Sequence, residues 1–339
     1  MKANLSVSVC IPVYNGSAWL KMALDSVLNQ GFRDMEIIIG DDNPPEQAEE
    51  IRKTRALIDA YGDARIHYVK NPQNLGYPAN LKNIVSKARN DILFLMAQDD
   101  ILSKDSLQRT HDVFLRDDDI GVVTRPFFMF IGDVDKPVRA ILPLDPEKDT
   151  VLTIHDSRRA FLHTMFSVSQ LSGLAYRRAF IDTPFHDEVF PAHIYPFAGV
   201  FKKHKCVFLK DFTIAARIES SQTRSVSSIY SVSPTESWIK MYKSVFGGPG
   251  YETQLEWGIA DRATNYVGLI QIRNYAGLGL TLKELAIMAK YRKVNLLTPV
   301  FWLFTFGLIL TPAFILRALS DMYKSKILAK TLPEIHFRY

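Results

Sequence analysis

Four short apolar runs in the first hundred residues each stop abruptly at a cluster of amides and carboxylates, and this repeated pattern constrains the fold more than any other feature of the chain. Val7, Val9, Ile11 and Val13 alternate with other residues and end at Asn15-Gly16-Ser17, the pattern of a strand, a turn and a helix opened by a capping serine. A helix over Ala18 to Asn29 follows. Glu36 to Gly40 is nearly continuous isoleucine, as in a strand covered on both faces of a parallel sheet. It gives way to Asp41-Asp42-Asn43-Pro44-Pro45 and a charged helix through Tyr61. Arg65 to Val69 reads as a third strand, Tyr77 to Ala88 as a third helix, and Ile92 to Met96 as a fourth strand closed by Gln98-Asp99-Asp100. The reading is β-α-β-α-β-α-β, the alternation of an α/β fold with a mostly parallel sheet and flanking helices. Ligands of such sheets bind beyond the carboxyl ends of the strands, where these polar clusters lie. Asp117-Asp118-Asp119 looks similar but follows a helix, and is read as a solvated loop.

Composition narrows the class. Hydrophobic residues make up 47% of the 339 and charged residues 23%, a globular balance toward its apolar end. A net charge of +5 is compatible with an anionic ligand or an anionic membrane surface, and nucleic acid is not expected as a partner. The two cysteines, Cys10 and Cys206, each lie in an apolar run and read as buried free thiols. The first eight residues contain one lysine and no long apolar stretch, so they do not read as a signal peptide, and a cytoplasmic start is expected.

Paired aspartates at two neighbouring strand ends suit a nucleotide-dependent group transfer. A nucleoside diphosphate leaving group carries charge that a hard divalent cation, Mn²⁺ or Mg²⁺, held by one or two carboxylates can neutralise. Asp99, with Asp100 beside it, is the candidate metal ligand. Asp41 and Asp42 are candidates to accept hydrogen bonds from a base or ribose. The chain has no G-x-x-x-x-G-K-[ST], and the first turn has a single glycine, Gly16, where a dinucleotide fingerprint needs several.

Val9-Cys10-Ile11-Pro12-Val13-Tyr14-Asn15, then Ile37-Ile38-Ile39-Gly40-Asp41-Asp42, then Asn74-Leu75-Gly76 with Asn80, then Phe94-Leu95-Met96-Ala97-Gln98-Asp99-Asp100 closely resemble, in order, family 2 of the inverting GT-A-fold glycosyltransferases, of the bacterial surface-polysaccharide type. The resemblance is strong over about the first hundred residues and weaker to about residue 220. It implies a Rossmann-like GT-A fold and a nucleotide-sugar donor, a UDP-sugar first, whose nucleotide lies near Pro12, Tyr14, Asp41, Asp42, Asn74 and Asn80. It also implies a metal-bound diphosphate at a D-x-D position. Here the first aspartate of that motif is replaced by Ala97, leaving Asp99. Inverting transfer also needs a base, usually acidic, in a later segment, and where the family has Glu-Asp this chain has Ala192-His193. His193 is the first candidate base, Asp187 and Glu188 the runners-up; a packing histidine and a solvated loop are the structural alternatives. Arg217 and Arg224 could touch phosphate or be ordinary surface arginines.

From about Thr150 the pattern becomes α+β, with a helix near Ile154 to Phe166, strands near Leu174 and Val207, and a helix around Ile194 to Lys203. Residues 218 to 235, rich in Ser and Thr, read as a loop or lid. Helices over Glu236 to Phe246 and Glu252 to Asn274 follow. Leu296 to Leu316 contains no charged residue, long enough as a helix to cross roughly 30 Å of hydrocarbon. Pro299 and Pro312 interrupt it, and basic residues flank both ends, which suits a re-entrant or interface-lying hairpin at the cytoplasmic face of a membrane; a buried helix or oligomer contact is the alternative. The expected organisation is a GT-A domain over 1–220, a helical extension over 221–290 and a membrane-associating tail over 291–339. The expected acceptor is a lipid-linked or surface-glycan hydroxyl. A catalytically impaired nucleotide-sugar-binding or membrane scaffold protein is the rival reading, supported by Ala97 and the missing Glu-Asp.

Overall fold

The structure, a computed structural model, describes residues 5–220 and 227–339. Arg224 and the centre of the Ser/Thr-rich stretch therefore lie outside the described residues. The chain divides into two compact units. The first gathers the residues up to Asp135, then Ala140–Arg217 and Glu334–Tyr339; the second is Lys136–Arg139 with Ile218–Pro333. The expected helical extension and tail thus share one unit, and the last six residues return to the other.

The first unit begins with β1 (Val7–Val13), α1 (Leu20–Leu28), β2 (Met35–Asp41), α2 (Ala48–Tyr61), β3 (Ile66–Lys70), α3 (Tyr77–Val85) and β4 (Ile92–Leu95). β1 pairs in parallel with both β2 and β4, and β2 with β3. Val9, Ile11, Ile37, Ile39 and Phe94 are fully buried, so little of these runs needs to be polar. Ser17 does not cap α1, which starts at Leu20 after Trp19 with no side-chain cap. The Ser17 N–H donates instead to the Glu50 carboxylate at 2.8 Å.

Along the chain there follow β5 (Ile101–Leu102), α4 (Ser106–Arg116), β6 (Ile120–Thr124), β7 (Phe127–Phe130), β8 (Pro137–Ile141, whose first three residues fall in the second unit), β9 (Thr150–Leu152), α5 (Arg158–Ser167), β10 (Ala175–Arg177), α6 (Ile194–Phe201), β11 (Lys205–Phe208) and β12 (Ile214–Arg217). The eight-stranded sheet runs β3-β2-β1-β4-β10-β6-β11-β9, and it is mixed: β10 is antiparallel to both neighbours and β9 to β11. A second sheet, β5-β12-β7-β8, lies beside it. Alternate residues of that small sheet point to opposite faces. Leu102, Ile214 and Ala216 join the main core, while Ile101, Phe128, Phe130 and Ala215 form a separate cluster against which Ile335 and Phe337 pack. Cys10 and Cys206 are buried free thiols.

The second unit is helical: α7 (Pro234–Phe246), α8 (Glu252–Ala263), α9 (Tyr266–Tyr275), α10 (Leu278–Tyr291), α11 (Pro299–Leu310) and α12 (Ala313–Tyr323). The single helix predicted over Glu252 to Asn274 is two, because Asn265 ends one and caps the next, its Oδ1 accepting the Gly268 N–H at 3.2 Å. The uncharged stretch is also broken. Pro299 takes the first turn of α11, Pro312 precedes α12, and the two helices bend by 120°. Proline has no N–H to continue the ladder, so the break falls where the sequence places it. Among the described residues no single helix is long and apolar enough to cross a membrane; this bent pair passes only when taken together.

Candidate active site

The order of the large sheet reverses at β1, with β2 and β3 on one side and β4 on the other. In open α/β sheets such a switch point leaves a crevice beyond the strand ends. Gln98 spans it. Its Oε1 accepts the Tyr14 N–H and its Nε2 donates to the Tyr14 carbonyl, both at 2.9 Å, so the loop after β1 is clamped to the loop after β4 by one side chain. The adjoining turn needs Gly16, where a Cβ would stand 2.1 Å from Gln98 Oε1. Asn15 has a φ of 50°, in the left-handed region that asparagine tolerates, and its N–H donates to Asn43 Oδ1 at 2.8 Å.

The neighbouring strand ends are built by the acidic and amide residues themselves. Asp42 Oδ1 accepts from the Asn71 side-chain amide and the Leu75 N–H at 2.8 Å, and Oδ2 from the Gly76 N–H at 2.9 Å. Asp41 Oδ2 accepts the Tyr68 hydroxyl at 2.5 Å, and Oδ1 accepts both N–H groups of Asn43. Asn80 donates to the Gly40 carbonyl at 2.8 Å and accepts from Asn71 at 2.9 Å. Asp41, Asp42 and Asn80 are 0%, 2% and 2% exposed. The direct ligand contact expected of these three is therefore not available in this arrangement; their oxygens are taken by internal donors and they hold the loops that border the crevice. Pro12 and Tyr14 are half-buried and Asn74 is exposed.

Asp99 and Asp100, adjacent in sequence, face different surroundings. Asp100 is 2% exposed. Its Oδ1 accepts the Arg217 N–H at 2.9 Å, and its Oδ2 accepts the Ser172 hydroxyl at 2.6 Å together with the Gln170 amide. Burial, and next the charge of Asp99, push its carboxyl well above the usual carboxylate range. Asp100 thus ties β12 and the segment before β10 to the loop after β4, and its expected role as a metal ligand is not supported. Asp99 is only half-buried. A single reachable carboxylate fits a hard divalent cation whose other ligands come from phosphate and water; among the described residues no group of three or more His, Cys, Asp or Glu is gathered to hold a metal alone. The Arg217 guanidinium lies 4.6 Å from the ring centres of both Trp19 and Phe130, packed between two aromatic faces.

His193 precedes α6 and is 5% exposed. Its Nε2 lies 2.9 Å from the Val168 carbonyl, which can only accept, so Nε2 carries the proton and Nδ1 accepts from the Tyr77 hydroxyl at 2.8 Å. Burial pushes the imidazole down to about 4. With both nitrogens occupied and the ring held neutral, His193 is a packing histidine here rather than the expected base. Asp187 is an exposed carboxylate paired with the Lys82 ammonium, whose hydrogen bond holds it below its ordinary value. Glu188 is half-buried on the same segment, its N–H donating to His186 Nδ1 at 3.1 Å.

Sequence reasoning missed Gln170, Ser172 and Lys70. Ser172 and Gln170 act 70 or more residues from Asp100, a pairing with no local signal. Lys70 donates to the Asn43 and Asn71 carbonyls at 2.6 and 2.5 Å, joining the loops after β2 and β3; it stands opposite Asp41 across the two strands, a pairing with no local signal.

Over 106 residues the chain is 37% identical to abequosyltransferase RfbV of Salmonella typhimurium, covering 30% of each protein. The chain spans less than half the length of the curated relatives it matches first. Among solved structures it is similar in fold to Staphylococcus aureus TarS residues 1–349, with a TM-score of 0.60, 14% identity and coverage of 96% of this chain and 91% of that one. It is also similar to the mannosyltransferase PcManGT of Pyrobaculum calidifontis solved with GDP-Man and Mn²⁺, with a TM-score of 0.55, 13% identity and coverage of 97% and 86%. Residues 8–173, the part of the chain that builds the switch-point crevice, match the model of glycosyl transferase family 2.

Proposed function

We propose that the chain is an inverting glycosyltransferase that moves a sugar from a nucleotide-sugar donor, a UDP-sugar first, to a hydroxyl of a lipid-linked or surface-glycan acceptor. The observation that carries this reading is the switch-point crevice, where the Gln98-clamped loop of Pro12 to Gly16 lies beside the half-buried carboxylate of Asp99. TarS solved with UDP-GlcNAc and PcManGT solved with GDP-Man and Mn²⁺ support a nucleotide-sugar in a crevice of this fold.

Pro12 and Tyr14 offer an apolar wall for the nucleotide, and Asn74 a polar one. Asp42 and Asn80 keep the Asn71 to Gly76 loop in place without touching the ligand. Asp99 would hold a divalent cation, Mn²⁺ or Mg²⁺, which when bound neutralises charge gathering on the departing diphosphate. In the transfer the acceptor oxygen forms a bond to the anomeric carbon, the bond from that carbon to the diphosphate oxygen breaks, and the hydroxyl proton passes to a carboxylate. Asp187 or Glu188 takes that proton, since His193 has no free nitrogen for it.

A screen of nucleotide sugars for nucleoside diphosphate release, with and without Mn²⁺, tests the reading. Release from one donor that stops in Asp99→Ala, with the fold intact, is the expected result; turnover fully retained in Asp99→Ala overturns the assignment. Asp187→Asn and Glu188→Gln identify the base, and His193→Ala that is folded but inactive would return the role to the histidine. A second reading, a nucleotide-sugar-binding or scaffold protein without catalysis, is favoured by Ala97 and by the neutral, enclosed His193. Donor binding without any release selects it.

A further inference from the structure

The α11–α12 elbow carries an apolar surface that the glycosyltransferase reading does not use. In α11 one stripe faces inward: Phe301, Thr305 and Leu308, spaced by a helical turn, are buried, with the phenylalanine and leucine packing against Tyr266, Leu269, Leu285 and Met288. The remainder of a surface helix is ordinarily polar. Here it is not: Trp302, Leu303, Phe306 and Leu310 are 40%, 71%, 54% and 77% exposed, and on α12, the next helix in the chain, Phe314 and Leu319 are 73% and 50% exposed. Isolated exposed apolar side chains are unremarkable, but this many large apolar side chains exposed on two consecutive helices mark an interaction surface.

Two further observations identify what covers it. The first is charge. Between residues 290 and 333 the sequence has seven lysines and arginines and one acid, Asp321, so cations flank the apolar stretch on both sides in sequence, although Lys290 pairs with Glu236 and Lys324 with Asp321. The second is backbone satisfaction. A helix end placed in hydrocarbon must have its carbonyls paired, because no water is there to do so. Arg273 reaches from α9 to the end of α11 and donates to the Leu308 carbonyl at 3.0 Å and to the Thr311 carbonyl at 3.4 Å. The Trp302 indole N–H donates to the Leu296 carbonyl at 2.8 Å. The 120° bend at Pro312 keeps either helix from extending into a span.

We infer that the α11–α12 elbow is a monotopic membrane-docking surface, lying in the interface of an anionic bilayer with its exposed apolar side chains among the acyl chains and its flanking cations at the headgroups. This goes beyond the transferase reading and does not depend on it, since its readout is lipid binding and not turnover. The experiment is flotation of the full chain with vesicles of phosphatidylcholine alone and of phosphatidylcholine with phosphatidylglycerol, run beside light scattering of the lipid-free protein. The chain should float with the anionic vesicles and more weakly with neutral ones. The triple variant Leu303→Glu/Leu310→Glu/Phe314→Glu should lose about tenfold or more of that binding. Its side chains are exposed in the parent, so the buried cluster stays intact, and an unchanged circular dichroism spectrum checks this. Failure to float with either vesicle, or flotation undiminished in the triple variant, overturns the proposal. A dimer that the triple variant converts to monomer, without vesicle binding by the parent, overturns it in favour of a second copy of the chain.

Discussion

At His193 two hydrogen bonds and near-complete burial separate a histidine at a suggestive position from one able to accept a proton. The spacing of the sequence places it where the resemblance puts a base, but spacing carries nothing about the Val168 carbonyl and Tyr77 hydroxyl that close on its ring. Its folded value of about 4 lies below the ordinary 6.5. The unfolded chain therefore binds the extra proton between those values, and the stability of keeping the ring neutral is present above pH 6.5 and lost as the pH falls toward 4. The loss amounts to roughly 3 kcal/mol. Urea unfolding of wild type and His193→Gln at pH 7 and pH 4.5 should show the wild type losing more stability than the variant on acidification; equal losses would refute the burial argument. The two adjacent aspartates should separate in the same manner. Asp99→Ala is expected to lower donor turnover by about a hundredfold or more with the fold intact by circular dichroism. Asp100→Ala, which leaves the Arg217 N–H and the Ser172 hydroxyl without their acceptor, should cost roughly 1–3 kcal/mol of stability. An Asp100→Ala protein as stable as wild type would mean that those contacts are replaced by water.

Among the elements, legibility followed how local the determining interactions are. β1, β2 and β4 could be read because each is an apolar run buried inside the sheet and each ends at polar residues, and β3, the partly exposed edge strand, because it lies between two helical patterns and also ends at polar residues. β5, β7, β8 and β12 could not, since they pair outside the large sheet and the pairing is not local: β12 joins strands some 85 to 115 residues earlier. The break between α8 and α9 was missed for a different reason: Asn265 inside an apolar helical pattern is a weak signal until its side chain is seen to cap Gly268. Close packing between elements is sharpest at Gly40 on β2. A Cβ there would stand 2.3 Å from Ile84 Cγ2 and 2.5 Å from Asn80 Oδ1, both on α3. Gly40→Ala is thus expected to push α3 from the sheet, costing about 1–3 kcal/mol, and to weaken donor binding through the loop that Asn80 holds. Thermal denaturation together with nucleotide titration measures both, and an unshifted midpoint would show that α3 moves freely.

For the molecule as a whole, the order of the chain and its two compact units do not coincide. The helical unit stands in sequence between Arg217 and Glu334, and the chain then returns so that its last residues complete the first unit. Lys104 donates its N–H to the Arg338 carbonyl at 2.9 Å, and Phe337 meets Phe128 edge to face with ring centres 5.0 Å apart. Nothing in the final residues announces this, because Ile335 and Phe337 alternate with polar neighbours as any short exposed strand-like segment would, and their partners lie some 200 residues earlier. The outer face of the small sheet, with Phe128 and Phe130 on it, relies on that return for cover. The edge-to-face contact and the area it shields are worth about 1–2 kcal/mol. Phe337→Ala in the full chain should lower the stability of the first unit by that amount, whereas Tyr339→Ala, an exposed neighbour, should change little. Chemical denaturation followed by hydrogen exchange at β7 and β12 distinguishes the two variants. Faster exchange at those strands only in Phe337→Ala supports a shared fold, and identical protection in both would show that the end of the chain merely rests on a sheet that is stable without it.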